Sequence, residues 1–327
     1  MYHFLIFLSL CLKPFYNKNN VISTEFLCFY IRYYRNIEII FFVCYNQKKA
    51  KGNEWKMDFI YTSKRKSASA AMPKSHSHTY YELYYQITGE RRYFIEDSIY
   101  DIYPGDLVII KPHELHRTVS SNKNWFERYL INFNHNHINK LKKEIGEDNV
   151  NDFLNIQCIR FTIKNAEYLN NLIDTINMEN VNPDRYSEHF KQNLLANIAL
   201  FCLRHGKSKN QRTKDGADKI QDVAHYIKEN CHMKITLHDA SKLAFMEETY
   251  FSKKFKQLTG FGFNEYLTQI RLKKSEGLLL STQLSIGEIS EMCGFSSANY
   301  FGDIFKNCNG ESPSQYRKRF MKIYNSK

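Results

Sequence analysis

Residues 284–306 read LSIGEISEMCGFSSANYFGDIFK, and this stretch decides the fold of the C-terminal region. Ser285 stands just before apolar residues at helical spacing, and a hydroxyl residue in that place is typical of a helix N-cap. After a tight turn, the aromatic pair Tyr300-Phe301 and the later Phe305 mark a second helical segment. The stretch therefore predicts two short helices joined by a tight turn.

The same pattern occurs about fifty positions earlier, in residues 235–256, which read ITLHDASKLAFMEETYFSKKFK. At an offset of 50, six residues are identical in one gap-free register: Tyr250-Phe251 and Tyr300-Phe301, Phe255-Lys256 and Phe305-Lys306, Gly260 and Gly310, and Tyr266 and Tyr316. Thr236 matches Ser285 at an offset of 49, so one turn is a residue longer than the other. A plain helical bundle needs no such repeat, and we therefore predict two helix-turn-helix units.

A helix-turn-helix unit places its second helix in the major groove of DNA. We expect the aromatic pair and the later Phe of each copy to face inward, so that the other positions meet double-stranded promoter DNA. The predicted DNA-contacting residues are Thr249, Ser252, Lys253 and Lys256 in the first copy and Ala298, Asn299, Asp303, Lys306 and Arg317 in the second. Gly302 weakens a helix and Asp303 repels phosphate, so we expect the first unit to read more bases.

Three segments of this region resemble the signature of AraC-type transcriptional regulators. They are LSIGEISEMCGFS at 284–296, YFGDIFK at 300–306 and GESPSQYR at 310–317. The resemblance implies two DNA readers joined by a long helix, here at about 262–281. It also implies a homodimer that works with RNA polymerase in response to a small-molecule effector. Whether transcription rises or falls stays open.

The N-terminal half begins with a different pattern, HSHTYYELYYQITG at residues 76–89. Side chains of a strand alternate, so His76, His78 and Glu82 share one face. The family commonly carries a cupin barrel, and residues 76–119 are similar to it: His76-x-His78-x3-Glu82-x6-Gly89 fits the first cupin motif, and Gly105-x5-Lys111-x-His113-x2-His116 keeps the spacing of the second. Lys111 and His113 stand where proline and glycine are usual.

These side chains have two interpretations. As an effector pocket, the contacts would come from His76, His78, Tyr80, Glu82, Tyr84 and His116. As a metal site, His76, His78, Glu82 and His116 would suit Zn, Mn, Fe or Ni. We expect an effector, preferably a sugar or related small polar metabolite, and no metal or other cofactor. The alternative is a metal-dependent cupin isomerase or dioxygenase, but an enzyme would need no DNA-binding tail, so we expect no enzyme.

The predicted fold class is α+β, with an N-terminal cupin-like β-barrel followed by an all-α domain that holds the two helix-turn-helix units. The predicted boundaries are 1–56 for a doubtful extension, translated upstream of a working start at Met57, 57–163 for the effector-sensing domain, 164–205 for dimerising helices, 206–216 for a linker and 217–322 for the DNA-binding domain.

Composition narrows the class of protein further. The formal charge of the 327 residues is +12 but is spread along the chain, so charge alone does not mark a nucleic-acid domain. The eight cysteines form no C-x-x-C pair and indicate reduced, structural thiols. Two apolar runs near the N-terminus are shorter than the roughly 20 residues that a membrane span needs. We therefore expect a cytoplasmic protein with no membrane partner.

Overall fold

The computed structural model describes residues 59–67, 78–120, 125–208 and 217–324. The described strands are β1 Tyr61–Ser67, β2 Tyr81–Thr88, β3 Arg91–Ile95, β4 Ser98–Ile102, β5 Leu107–Ile110, β6 His116–Ser120, β7 Phe126–Phe133, β8 Cys158–Arg160 and β9 Lys207–Ser208. The described helices are α1 His135–Ile145, α2 Glu147–Asn155, α3 Ile163–Val181, α4 Ser187–His205, α5 Ala217–Asn230, α6 Leu237–Leu243, α7 Glu248–Thr259, α8 Phe263–Ser281, α9 Ile286–Met292, α10 Ala298–Asn309 and α11 Pro313–Tyr324.

The N-terminal strands form two antiparallel sheets. One has the order β1-β7-β2-β5-β8-β9, and the other has the order β4-β3-β6. Tyr84 and Val108 of the larger sheet share one buried cluster with Tyr93 and Ile102 of the smaller sheet, so the two sheets face each other. The predicted fold class is confirmed, but over the described residues the cupin-like layer is an open sandwich of two separate sheets rather than a closed barrel.

The outer face of the larger sheet is covered by helices. Leu83 and Tyr85 of β2 point to this face, because they alternate with the inward Glu82 and Tyr84. They join a core to which α1, α2, α3 and α4 contribute apolar side chains such as Phe153. The alternating sequence pattern of this region predicted only strands and turns. The helices α1 and α2, which lie inside the predicted sensing domain, are therefore an addition that the structure makes.

The C-terminal region contains the two predicted helix-turn-helix units, α6–α7 and α9–α10, and α8 joins them. Thr236 and Ser285 cap α6 and α9 through reciprocal capping boxes with Asp239 and Glu288, as hydroxyl N-caps do. Each unit has its own core: one contains Phe251 and the other contains Phe301, Phe305 and Tyr316.

The turn between β3 and β4 docks on α5 and α8, the helices that flank the first helix-turn-helix unit. The Tyr266 hydroxyl donates to the carbonyl oxygen of Glu96 at 2.7 Å, and the Lys273 amine lies 2.5 Å from the Glu96 carboxylate. Asp97 accepts from His225 at 2.9 Å. Beside these polar contacts, the Phe94 ring packs on Tyr266 with centroids 5.4 Å apart. The β3–β4 pair of the N-terminal domain is thus joined to the helices on either side of that unit.

Several predictions fall at the margins of the described structure. The predicted extension 1–56, the start at Met57 and the candidate ligand His76 lie outside the described residues. Of the predicted linker 206–216, residues Lys207 and Ser208 form β9, which pairs with β8. None of the described helices combines the length and apolar character needed to cross a bilayer.

Candidate nucleic-acid interface and sensor interior

The first candidate reader helix is α7, which begins at a side-chain cap and ends at a glycine. The Glu247 carboxylate accepts from the backbone N–H of Tyr250 at 2.9 Å, and Gly260 ends the helix with a left-handed φ of 81°. Phe251 and Phe255 are fully buried against α8, which fixes the rotation of the helix about its axis. The opposite face therefore points out of the protein.

The predicted DNA contacts of α7 lie on that outer face. Thr249, Lys253 and Lys256 are exposed, and Ser252 is partly exposed. Hydroxyl and ammonium groups can hydrogen-bond base edges, and lysines neutralise phosphates. The face therefore has the chemistry of a DNA reader.

The second candidate reader helix, α10, repeats this geometry with different outward residues. Ser297 caps it by accepting from the N–H of Tyr300 at 3.2 Å, and Gly310 ends it at φ 77°. The predicted contacts on this helix are all exposed, namely Ala298, Asn299, Asp303 and Lys306. The set has one cation, one carboxylate and a methyl group, so it offers less to phosphates than the set on α7 does.

The structure corrects the predicted orientation of the aromatic pairs. Only Phe251 and Phe301 face inward, whereas Tyr250 is 54% exposed and Tyr300 is 49% exposed. Successive helical residues are about 100° apart, and in both reader helices this places the Tyr away from the core while the Phe packs into it. The two tyrosines lie on the outward side of the reader helices, and their matching hydroxyls at an offset of 50 were a signal that sequence reasoning missed.

Arg317, the remaining predicted DNA contact, already makes a hydrogen bond within the protein. Its Nε donates to the carbonyl oxygen of Leu279 at 3.2 Å, near the C-terminal end of α8. Cationic side chains commonly satisfy the last carbonyls of a helix in this way. Arg317 thus ties α11 to α8.

In the sensing domain, three of the predicted ligands converge between the sheets. His78, Glu82 and His116 each offer a ligand atom, and these atoms all lie within 4.8 Å of one another. Nδ1 of His78 donates to the carbonyl oxygen of Tyr80 and Nδ1 of His116 to that of Glu114, both at 2.8 Å. A carbonyl only accepts, so both protons sit on Nδ1, and Nε2 is the basic nitrogen of each neutral ring.

The other predicted effector contacts surround this cluster. The Tyr80 ring stacks on His78 with centroids 3.9 Å apart, and Tyr84 is fully buried, with its hydroxyl donating to Gln86. His113, at the position where the cupin pattern has glycine, adopts a left-handed φ of 64°. Its N–H donates to the carbonyl oxygen of His78 at 2.8 Å, so this turn positions one member of the cluster.

Comparison with known families matches both halves of the chain. A family model described as an AraC-like ligand binding domain matches residues 59–200, and one described as a helix-turn-helix domain matches residues 240–319; together they span more than half of the chain. The chain belongs to the AraC family of regulators. The resemblance predicted from the sequence is confirmed.

Several curated proteins are similar to this AraC-family chain. The Msm operon regulatory protein of Streptococcus mutans is 34% identical over 128 residues, which is 39% of this chain and 45% of the relative. The HTH-type transcriptional activator RhaR of Pectobacterium atrosepticum is 30% identical over 156 residues, 46% of this chain and 53% of the relative. The matched part of the AraC-family chain therefore spans about half the length of these two relatives.

Solved structures also resemble the AraC-family chain. The DNA-binding domain of AdpA, determined in complex with a target DNA, is 25% identical, with a TM-score of 0.32, and the match covers 32% of this chain and 95% of that chain. ToxT from Vibrio cholerae is 16% identical, with a TM-score of 0.33, and the match covers 80% of this chain and 98% of that chain.

Burial raises the pKa of Glu82 in this AraC-family sensor to about 7, although the nearby charge of Arg128 opposes the shift. Between about pH 4.5 and 7 the folded protein therefore holds a proton that the unfolded chain has lost, so folding stability falls as the pH rises through this window. We expect Glu82→Gln to raise the free energy of unfolding at pH 8 by ~1–3 kcal/mol and to change it little near pH 4.5.

Urea unfolding at both pH values checks this expectation. Glu144→Gln is the matched control, because Glu144 is exposed on α1 and its substitution removes the same charge. An equal effect of the two substitutions at pH 8, or a loss of stability with Glu82→Gln, would show that the Glu82 carboxylate is stabilised rather than strained.

Proposed function

We propose that the chain is an effector-responsive, sequence-specific DNA-binding transcriptional regulator that acts on chromosomal promoters in the cytoplasm, together with RNA polymerase. One observation carries the proposal. Two capped reader helices, fifty positions apart, bury their Phe residues and expose hydroxyl, amide and ammonium groups such as those of Thr249, Asn299 and Lys253. That surface fits major-groove edges flanked by phosphates.

The test is selection of genomic fragments by the purified full-length chain, followed by affinity measurement over a range of salt concentrations. We expect a defined sequence motif among the selected fragments. If four or more lysines meet phosphates, log Kobs should fall against log salt with a slope of about −4 or steeper. Fragments without a common motif, or affinity that does not depend on salt, would contradict the proposal.

The proposed effector signal passes through β3 and β6. Neighbouring residues of a strand point to opposite faces, so Tyr93 lies in the sensor interior while Phe94 packs on the first reader unit. On β6, His116 faces the ligand cluster while Arg117 lies 3.4 Å from Glu265. A ligand that shifts the interior side chains would move the docked faces of the same two strands.

A homodimer belongs to the proposal, with α3 and α4 as its interface. Several large apolar side chains on or near these helices are at least two-fifths exposed: Tyr168, Met178, Val181, Tyr186, Phe190 and Leu200. An exposed apolar set of this kind favours a protein partner. Half-site spacing on the selected DNA would follow from the symmetry of such a dimer.

The second candidate function is a metal-dependent cupin enzyme, and the convergence of His78, Glu82 and His116 favours it. Two neutral imidazoles held by backbone carbonyls and one carboxylate fit a divalent transition metal, which would supply Lewis-acid chemistry when bound. Metal analysis of the purified chain separates the candidates. Stoichiometric metal that is lost on His78→Ala and His116→Ala, together with substrate turnover, would favour the enzyme.

A further inference from the structure

Two buried arginines lie inside the sensor sandwich. Along the strands they are about four residues from the level of the His78, Glu82 and His116 cluster. Arg91 on β3 of the smaller sheet is 4% exposed, and Arg128 on β7 of the larger sheet is 8% exposed. Arg91 shares the inward face of β3 with Tyr93, and Arg128 pairs in register with the inward Gln86 of β2. The facing sides of the two sheets therefore bring two guanidinium groups into one interior.

The protein supplies these guanidinium groups mainly with aromatic faces. Arg91 lies 4.0 Å from the centroid of the Phe126 ring, and Arg128 lies 5.3 Å from that of Tyr84. Arg91 also donates to the Thr118 hydroxyl at 3.4 Å. Within the described residues, Nε of Arg91 and Nη1 of Arg128 are buried without a hydrogen-bond acceptor.

No described carboxylate neutralises these charges at ion-pair distance. Glu82 is the inward acid on β2, yet none of its oxygens is within 4.0 Å of either guanidinium, and its Oε1 is itself without a donor among the described residues. Of the sensing-domain residues left out of the description, the segments 68–77 and 121–124 contain no Asp or Glu, and Asp58 is the one acid. Among the described residues, neither guanidinium therefore has a carboxylate within ion-pair distance.

Two like charges in one buried space are costly, because each has lost its water and each repels the other. Burial lowers the pKa of Arg91, and the nearby charge of Arg128 lowers it further. Guanidinium groups nevertheless stay protonated, so the cost persists until an anion enters. Buried, unpaired charges of this kind are typical of a binding site, because a bound anionic ligand removes their desolvation and repulsion cost.

We infer that the interior between β3 and β7 binds an oxyanion, a carboxylate or phosphate group of the small-molecule effector, through Arg91 and Arg128. The inference rests on the proposed function and names the ligand class of its sensor. Guanidinium forks match both oxyanions with paired hydrogen bonds, and the Tyr84 and Tyr93 rings beside them can hold the body of a small polar molecule. The effector is then an acidic molecule, where the sequence led us to expect a sugar or related small polar metabolite.

The experiment measures Tm of the full-length chain with three probes: inorganic phosphate, glucuronate and glucose, each matched in ionic strength with sodium chloride. We expect at least one of the two anions to raise Tm by about 3 °C at ten times its Kd, and glucose to leave Tm unchanged. The anion that acts identifies the group, phosphate or carboxylate. A glucose shift equal to the glucuronate shift, or no shift with either anion, would overturn the inference.

Arg91→Met and Arg128→Met locate the site, and Arg92→Met is the matched control. Arg92 is the next residue of β3 but points outward, where its Nε lies 2.6 Å from Asp101. The Tm increase caused by the anion should vanish in Arg91→Met and Arg128→Met and persist in Arg92→Met. Lysines of the DNA reader also attract phosphate, but they are unchanged in all three variants, so any contribution from them is common to all three. Persistence of the full shift in Arg91→Met and Arg128→Met would place the anion elsewhere and overturn the inference.

Stability without ligand separates a binding role from a structural one. In chloride buffer, Arg91→Met should melt no lower than Arg92→Met, because it removes an uncompensated buried charge. A much lower Tm of both Arg91→Met and the milder Arg91→Gln would mean that the arginine holds the sandwich together, against the inference. The DNA assay keeps the two proposals apart: a parent chain that binds its selected DNA but responds to no anion refutes only the oxyanion site.

Discussion

Replacing Ser252 and Lys253 together by alanine is expected to weaken binding to the selected DNA about 100-fold or more, because each lost major-groove or phosphate contact costs ~1–3 kcal/mol. Both side chains project from the outward face of α7, opposite the buried Phe251 and Phe255. Lys253 is exposed, Ser252 is partly exposed and neither belongs to the buried core of the unit, so Tm should stay within about 2 °C of the parent value. Affinity is measured by titration of labelled DNA at fixed salt.

The internal repeat supplies a matched control at the same two positions of the second reader. Gly302 and Asp303 stand fifty residues after Ser252 and Lys253. Asp303→Ala removes an exposed carboxylate that repels phosphate, so binding should change less than about 3-fold, or tighten. Equal losses in both readers would contradict the expected asymmetry, and no loss in the first reader would remove α7 from the interface.

Replacing Gly294 by alanine is expected to lower the free energy of unfolding by ~3–4 kcal/mol and Tm by about 10 °C. Gly294 forms the turn of the second helix-turn-helix unit at φ 79°. A Cβ there would lie 2.6 Å from the carbonyl oxygen of His232 and 2.7 Å from that of Cys231. Both neighbours are backbone, so they can move only by shifting the end of α5 against the second unit.

The first unit offers the opposite substitution at the same place in its turn. Phe245 stands 49 residues before Gly294, adopts φ 55° and is 85% exposed. Its ring is near the Lys219 amine, 5.3 Å from the centroid. Phe245→Gly should raise the free energy of unfolding by up to about 1 kcal/mol, because relief of the left-handed strain exceeds the loss of that contact.

Urea unfolding followed by circular dichroism measures both turn substitutions. A Gly294→Ala chain that unfolds at nearly the parent urea concentration would mean that α5 and the second unit are not in contact in solution. A stability loss with Phe245→Gly would mean that the Phe ring contributes more than its backbone strain costs. The pair of substitutions therefore tests the turn geometry with opposite expected signs.

Local patterns predicted much of the candidate DNA interface. The N-cap residues Thr236 and Ser285 predicted where two helices begin, and helical periodicity placed Phe255 and Phe305 in the cores. The same reasoning was wrong for Tyr250 and Tyr300, because an aromatic side chain is apolar enough to be assigned to the core unless its angle about the helix axis is checked. In the sensor, period two placed His78 and Glu82 together and the cupin-like spacing added His116, and the structure brings these three side chains together.

The sequence by itself determined the family, the α+β order and the two capped readers, because capping and periodicity act over a few neighbouring residues that the printed chain displays. Tertiary structure alone decided which distant charges meet. Arg91 and Arg128 come together only because two sheets pack face to face, and Glu96 reaches Lys273 across 177 positions only because a hairpin turn docks on α8. Such contacts depend on how finished elements pack, and no local spacing encodes that packing.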